Sequence, residues 1–208
     1  MIAPETIALR TLRLPPELNL GPLSGKGRRS VVYEAELAGQ AVALKLYKPE
    51  AIRKFRRRYG VSIARFEHDR CAEFSAVPAL APYIARPLHV LGERDGFAEA
   101  FVQEFVDGRR VHDVMGETGS VPRETLHVLT EIVAAAEAVG LHDLDVCASN
   151  IFVKPTERGW MPVLFDFNMM PQHLHAPNPW VGLLYRLGWR HPSHRDRLML
   201  KHLENWKR

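Results

Sequence analysis

Apolar and polar residues alternate from Leu20 to Leu46, a period of two that predicts extended strands. A glycine-containing turn, Gly25-Lys26-Gly27-Arg28-Arg29-Ser30, precedes VVYEAEL, and a short turn at Ala38-Gly39-Gln40 leads into AVALKLY. The β-branched residues and the turn chemistry predict a hairpin there. After Pro49 the spacing changes: Ile63, Phe66, Arg70, Cys71 and Phe74 recur every three or four positions, so residues 50–74 are expected to form one helix. VPALAPYIARP reads as a connector. Residues 88–91 and 97–105 are the next strands, separated by the turn GERDG. From Pro122 to Gly140, Leu126, Leu129, Ile132, Val133, Ala136 and Val139 fall at helical spacing; Pro122 suits the first turn and Gly140 the end. Two short apolar runs follow, 150–153 and 162–167, and then a helix from about His194 to Trp206. Strands, a helix, more strands and then mostly helix predict an α+β chain with a β-rich part before a helical one.

Composition narrows the class. The chain has 208 residues, 46% hydrophobic and 25% charged, enough to bury a full core. That balance excludes disorder and collagen-like structure. The two cysteines, Cys71 and Cys147, lie far apart with no metal-type spacing and read as reduced thiols. No apolar run is long enough to span a bilayer, and the first residues lack the order of a signal peptide, so the expected location is cytoplasmic. Net charge is +4, concentrated at Arg53, Lys54, Arg56, Arg57 and Arg58 and again at Arg186, Arg190, Arg195, Arg197, Lys201, Lys207 and Arg208. Such clusters suit anionic partners, although a solvated helix face is the plainer reading. No aromatic-interleaved nucleic-acid motif accompanies them, so nucleic acid is not expected as a partner. Trp180, Trp189 and Trp206 read as core or lobe-packing residues rather than base-stacking ones.

Four local signals carry chemistry. Without side chains at Gly25 and Gly27, backbone N–H groups of the loop through Ser30 could cradle phosphates; a purely structural hairpin turn is the alternative. Val42-Ala43-Leu44-Lys45 places one lysine on the next strand, either against those phosphates or in solvent. In Asp145-Val146-Cys147-Ala148-Ser149-Asn150, a carboxylate precedes an amide by five residues. Asp145 could orient or deprotonate a hydroxyl while Asn150 ligates Mg²⁺, or both could make turn and cap bonds. Asp166-Phe167-Asn168 ends the apolar run Val163-Leu164-Phe165, where a carboxylate needs compensation that a divalent cation supplies.

In this order the four signals resemble the protein kinase superfamily, over Leu20 to Asn168. LSGKGRRSVVYEAEL resembles the Gly-rich loop and its strand, VALK the strand lysine, FVQEFVDG the hinge, DVCASN the catalytic loop and DFN the metal-binding DFG. The resemblance implies a two-lobed protein-kinase-like fold, with an antiparallel sheet N-lobe over 1–107 and a reduced helical C-lobe over 108–208. It implies ATP and Mg²⁺ as cofactors, with Lys45 on the α/β-phosphates and Glu67, rather than Glu73, as its partner. Asp145 would be the catalytic base, and Asn150 and Asp166 the metal ligands. Peptide groups from Glu104 to Val106 would meet the adenine edge, with Val32 and Ala43 packing on its faces.

The departures are specific. Ser30 stands at the loop's third glycine, Asp143 where the family has histidine, Cys147 where protein-serine kinases have lysine, and Asn168 at the last position of the metal motif. About forty residues follow Asn168, with no APE-like motif. This shortness resembles small bacterial kinase-like families, namely the YrbL-type PhoP regulatory network proteins and, more distantly, the lipopolysaccharide core kinases. The expectation is an enzyme acting on a sugar or other non-peptide hydroxyl, with the basic C-terminal segment holding an anionic acceptor or touching a membrane. A nucleotide-binding pseudokinase with a regulatory role is the alternative, motivated by Cys147 and Asn168.

Overall fold

A computed structural model describes residues 12–92, 98–157 and 159–206. Residues 1–11, turn residues 93–96, Phe97, Arg158, Lys207 and Arg208 lie outside the described residues. The chain divides into two compact units. One takes the residues up to Glu73 together with Ala85–Val106; the other takes Phe74–Ile84 and the chain from Asp107 onward. Phe74–Ile84, inside the first of the two spans expected from sequence, thus clusters with the second unit.

The first unit is built on an antiparallel five-stranded sheet of order β1-β2-β3-β5-β4, with β1 Leu18–Lys26, β2 Ser30–Leu37, β3 Gln40–Tyr47, β4 Pro87–Leu91 and β5 Ala100–Glu104. The β2–β3 hairpin turns through Ala38 and Gly39, at φ 50° and 82°. Both being positive matches the tight two-residue turn that the strands' own twist favours. Register then assigns the faces. Val31 lies opposite Leu46, and Leu44 opposite Tyr33 and Val102. These side chains, with Leu18, Ala35, Val42 and Ala100, form the buried core on one face. Because side chains alternate, Val32, Ala43, Lys45 and Tyr47 fall on the other face.

That second face carries helix. The single helix expected over 50–74 is instead two: α1, Pro49–Tyr59, and α2, Ile63–Ser75. The reason is local. Gly60 takes φ 75°, its N–H bonding the Arg56 carbonyl, so α1 ends in a left-handed cap. Ser62 then accepts from the Arg65 N–H at 3.1 Å and starts α2. Periodicity continues across such a break, which is why pattern alone merges the two. Glu99, fully buried, fixes this junction. It accepts from Arg56 Nε at 2.9 Å, from Ser62 Oγ at 2.7 Å and from the Ala64 N–H at 3.3 Å.

In the second unit, β6 Arg109–Arg110, β7 Ile151–Thr156 and β8 Gly159–Leu164 form a three-stranded antiparallel sheet. Helix α3, Val111–Thr118, was not evident in the pattern; it is short and closes at Gly119 with φ 79°. Helix α4, Arg123–Ala138, buries Leu129, Ile132, Val133 and Ala136 and packs on β8. Two more helices follow, α5 Pro179–Arg186 and α6 His194–Glu204; α6 packs on α4. The tryptophan expectation is overturned: Trp180, Trp189 and Trp206 are 64%, 73% and 48% exposed. Trp180 lies on α5, Trp189 just beyond it and Trp206 just beyond α6. Among the described residues, no helix is long and apolar enough to cross a membrane.

Candidate functional site

In the first unit the candidate residues gather on the sheet face opposite the core. Gly25 pairs with Val32, and Val32 in turn lies opposite Lys45. Gly27 closes the loop, its N–H donating to the Ser30 carbonyl at 2.8 Å, while Ser30 itself is buried. Lys45 is 6% exposed and its Nζ donates to both Glu67 oxygens, at 2.8 and 3.0 Å. The Tyr47 hydroxyl also donates to Glu67, which is fully buried. Glu73 bonds Arg70 instead. Ala43, two residues before Lys45 on the same face, is buried. At the end of β5 the Glu104 N–H donates to the Arg86 carbonyl at 2.9 Å and the Phe105 N–H to Ala41 at 3.4 Å. The N–H of Val106, next in line, has no acceptor among the described residues.

In the second unit the candidates sit on loops of strained backbone. Helix α4 is followed by Gly140 at φ 75°, then Asp143 and Asp145 take φ 59° and 56°. Asp166, just after β8, takes φ 71°. Aspartate visits this region more readily than most residues, but three such positions still need holding in place. Side chains do this. The Asp143 N–H donates to Asp196 Oδ2 at 2.7 Å, and Asp143 Oδ2 accepts from the Gln172 N–H at 2.8 Å. Asn150 Nδ2 donates to Asp145 Oδ2 at 2.9 Å, so the five-residue spacing closes a ring of side chains. Asp166 accepts from the Asn168 amide.

The residue that sequence reasoning missed is Arg195. Fifty residues beyond Asp145, at the start of α6, it donates through Nη2 to Asp145 Oδ1, and its Nη1 lies 3.6 Å from Asp143 Oδ1. Its side chain is 11% exposed. Both Asp145 oxygens therefore have a donor, one from the loop's own asparagine and one from the C-terminal helix. His142 joins the same seam, its Nδ1 3.0 Å from Ser193 Oγ. No local sequence signal marks Arg195, because its partners come from α4's far end.

Burial pushes the Asp145 carboxyl above the ordinary carboxylate range; the Arg195 guanidinium opposes that, and the Asp166 charge adds to it. Burial also drives Asp196 up to about 7, with the Asp143 charge adding and two backbone N–H bonds opposing. The sign of the linkage follows. Between its ordinary value of 3.8 and about 7 the folded chain holds a proton at Asp196 that the unfolded chain releases. Stability therefore falls as pH rises through this window and levels off above it, by at most on the order of 4 kcal/mol. Urea unfolding at pH 5 and pH 8 should show that loss, and Asp196→Asn should flatten it. A steeper slope in the variant would remove Asp196 as its source.

Asn150 and Asp166 are oxygen donors of the kind that could hold a hard divalent cation. Asn150 turns its amide nitrogen to Asp145 and its oxygen accepts from Ser149 Oγ at 3.2 Å, which leaves one lone pair for a cation, and Asp166 is a carboxylate that repels Asp145. Among the described residues no cluster of three or more His, Cys, Asp or Glu is spaced to hold a metal alone.

No protein-family model matches the chain, and no curated protein matches it. Solved structures do. One is the Mycobacterium tuberculosis PknI kinase domain, as a double mutant, with a TM-score of 0.59 and 21% identity, covering 98% of this chain and 76% of that one. Another is Rad53 1-466 in complex with AMP-PNP, with a TM-score of 0.56 and 17% identity over 73% of this chain. This chain spans 39% of that Rad53 chain. At these identities the likeness establishes the fold.

Proposed function

The chain has the two-lobed protein-kinase-like fold, and from that premise we propose that it binds ATP with Mg²⁺ and transfers the terminal phosphate to a hydroxyl. The acceptor in this reading is non-peptide, such as a sugar or glycolipid, and the protein acts in the bacterial cytoplasm. One observation carries the reading: a buried lysine, Lys45, held by both oxygens of a fully buried Glu67. Burying an ion pair is costly and seldom repaid in stability, so a preset ammonium is better explained by an anion it serves.

The other residues take roles that match their surroundings. Lys45 receives the α/β-phosphates, and Gly25, Gly27 and Ser30 shape the loop over them. Val32 and Ala43 share the Lys45 face and pack on adenine, whose edge meets the peptide groups of Glu104 to Val106. Asn150 and Asp166 would hold Mg²⁺, which when bound neutralises charge on the phosphates. Asp145, fixed by Asn150 and Arg195, orients the attacking hydroxyl and accepts its proton, its raised pKa improving it as a base.

A second reading, a nucleotide-binding pseudokinase, is favoured by the Asn168 amide, which occupies one Asp166 oxygen. Incubation with γ-labelled ATP and Mg²⁺ separates the two. Label transferred to acceptor or released as phosphate supports the enzyme. ATP binding with no turnover, unchanged in Asp145→Asn, would select the pseudokinase.

A further inference from the structure

Helix α5 is capped at both ends and packs with only one side, where half-buried Tyr185 meets the His173 ring at 6.5 Å between centroids. The Asn178 side chain caps it, accepting from the Val181 N–H at 2.9 Å. At its end Gly188 takes φ 69°, and the Trp189 and Arg190 N–H groups both return to the Leu184 carbonyl, at 3.0 and 3.1 Å. The helix is thus held rigid, but none of its residues is buried. Trp180, Leu183 and Leu187, 64%, 41% and 50% exposed, are spaced i, i+3 and i+7 and so form one stripe. That stripe is the face a helix of a globular protein ordinarily buries. Trp189 adds a second tryptophan just past the helix end, and Leu174, 68% exposed, precedes it.

Charge points to the occupant. From Phe167 to Arg195 the sequence contains no aspartate or glutamate. Arg186 is exposed on α5, and Arg190 lies over the Tyr185 ring at 5.8 Å from its centroid. A tryptophan at each end, leucines between them and arginine without any acid make a surface apolar at its centre and cationic at its rim. Indole rings, apolar in body and with one N–H donor, suit the headgroup level of a bilayer. A helix of eight residues is about 12 Å long, far too short to span, so it would lie in the interface plane.

We propose that α5 and the turn after it form a peripheral docking surface for anionic phospholipid. Trp180, Leu183, Leu187 and Trp189 enter the interface, while Arg186 meets lipid phosphate. This deepens the membrane-contact expectation for the C-terminal segment and rests on exposure and charge, independently of the phosphate-transfer reading.

The test is co-sedimentation of the full chain with vesicles of phosphatidylcholine alone and of phosphatidylcholine mixed with phosphatidylglycerol. The chain should sediment with the mixed vesicles and stay in solution with the neutral ones. Raising salt should release it, since the attraction is screened. Trp180→Ser with Trp189→Ser should lower partitioning by about tenfold or more, and Arg186→Gln by about fivefold at low salt. ATP affinity of the tryptophan variant is measured alongside and should be unchanged, so a failure here and a failure of the nucleotide reading are seen separately. Absence of vesicle binding, or equal binding to neutral vesicles, overturns the proposal. So does light scattering that shows a dimer of the unsubstituted chain and a monomer of the tryptophan variant, which would make a second copy the occupant.

Discussion

Asp145→Asn is expected to slow phosphate transfer from ATP by about 10²–10⁴-fold, the usual contribution of a positioned general base. ATP affinity should stay unchanged, because Asp145 acts on the acceptor hydroxyl rather than the nucleotide. Asparagine keeps an oxygen to accept from Arg195, whose Nη2 now bonds Asp145 Oδ1, but its NH₂ group loses the hydrogen bond from Asn150 Nδ2, so the fold of the variant is checked by circular dichroism. What it loses is the capacity to take a proton. A fall in transfer with the fold and nucleotide binding intact therefore isolates the chemical step. Arg195→Ala offers the companion result: Asp145 keeps its Asn150 partner at 2.9 Å but loses the cation that orients it and opposes its raised pKa. Arg195→Lys should recover part of the rate, a pattern that general loss of packing would not produce.

Lys45→Ala is expected to act twice. It removes the ammonium proposed to meet the α/β-phosphates, and it takes from the fully buried Glu67 the cation that donates to both its oxygens. Breaking one side of a buried pair costs about 3–5 kcal/mol. For a chain of this size that lowers the melting temperature by on the order of 10 °C. The Tyr47 hydroxyl still donates to Glu67 but carries no charge. Adding Glu67→Gln should restore most of the lost stability without restoring ATP binding. Scanning calorimetry of the single and double variants, with and without ATP, separates the two effects. Full recovery of binding in the double variant would remove Lys45 from the nucleotide site.

The sequence is most informative where function needs a residue type at a fixed local spacing. Alternation placed Lys45 on a strand and, with register, on the face away from Leu44 and Leu46. The five-residue step from Asp145 to Asn150 corresponds to a hydrogen bond between their side chains. Helix α4 was visible because Leu129, Ile132, Val133 and Ala136 bury one continuous stripe. Periodicity failed at Gly60, where a cap interrupts the chain without interrupting the apolar spacing. It also failed at α5, where the apolar stripe of Trp180, Leu183 and Leu187 stays exposed among the described residues. Partners that meet only in three dimensions left no local trace. Arg195 read as one of a basic cluster and Asp196 carried no signal, yet one holds Asp145 and the other fixes the strained Asp143 backbone. Glu99, buried among Arg56, Ser62 and Ala64, was equally silent.

The central claim is the proposal that the chain binds ATP as its Mg²⁺ complex and needs both Lys45 and Asp166 to do so, and calorimetric titration with ATP addresses it most directly. The account predicts binding that needs Mg²⁺ for full affinity and that is weakened both by Lys45→Met and by Asp166→Ala, each variant remaining folded. Binding indifferent to Mg²⁺ and to both substitutions, or no binding by the unsubstituted chain, would contradict it.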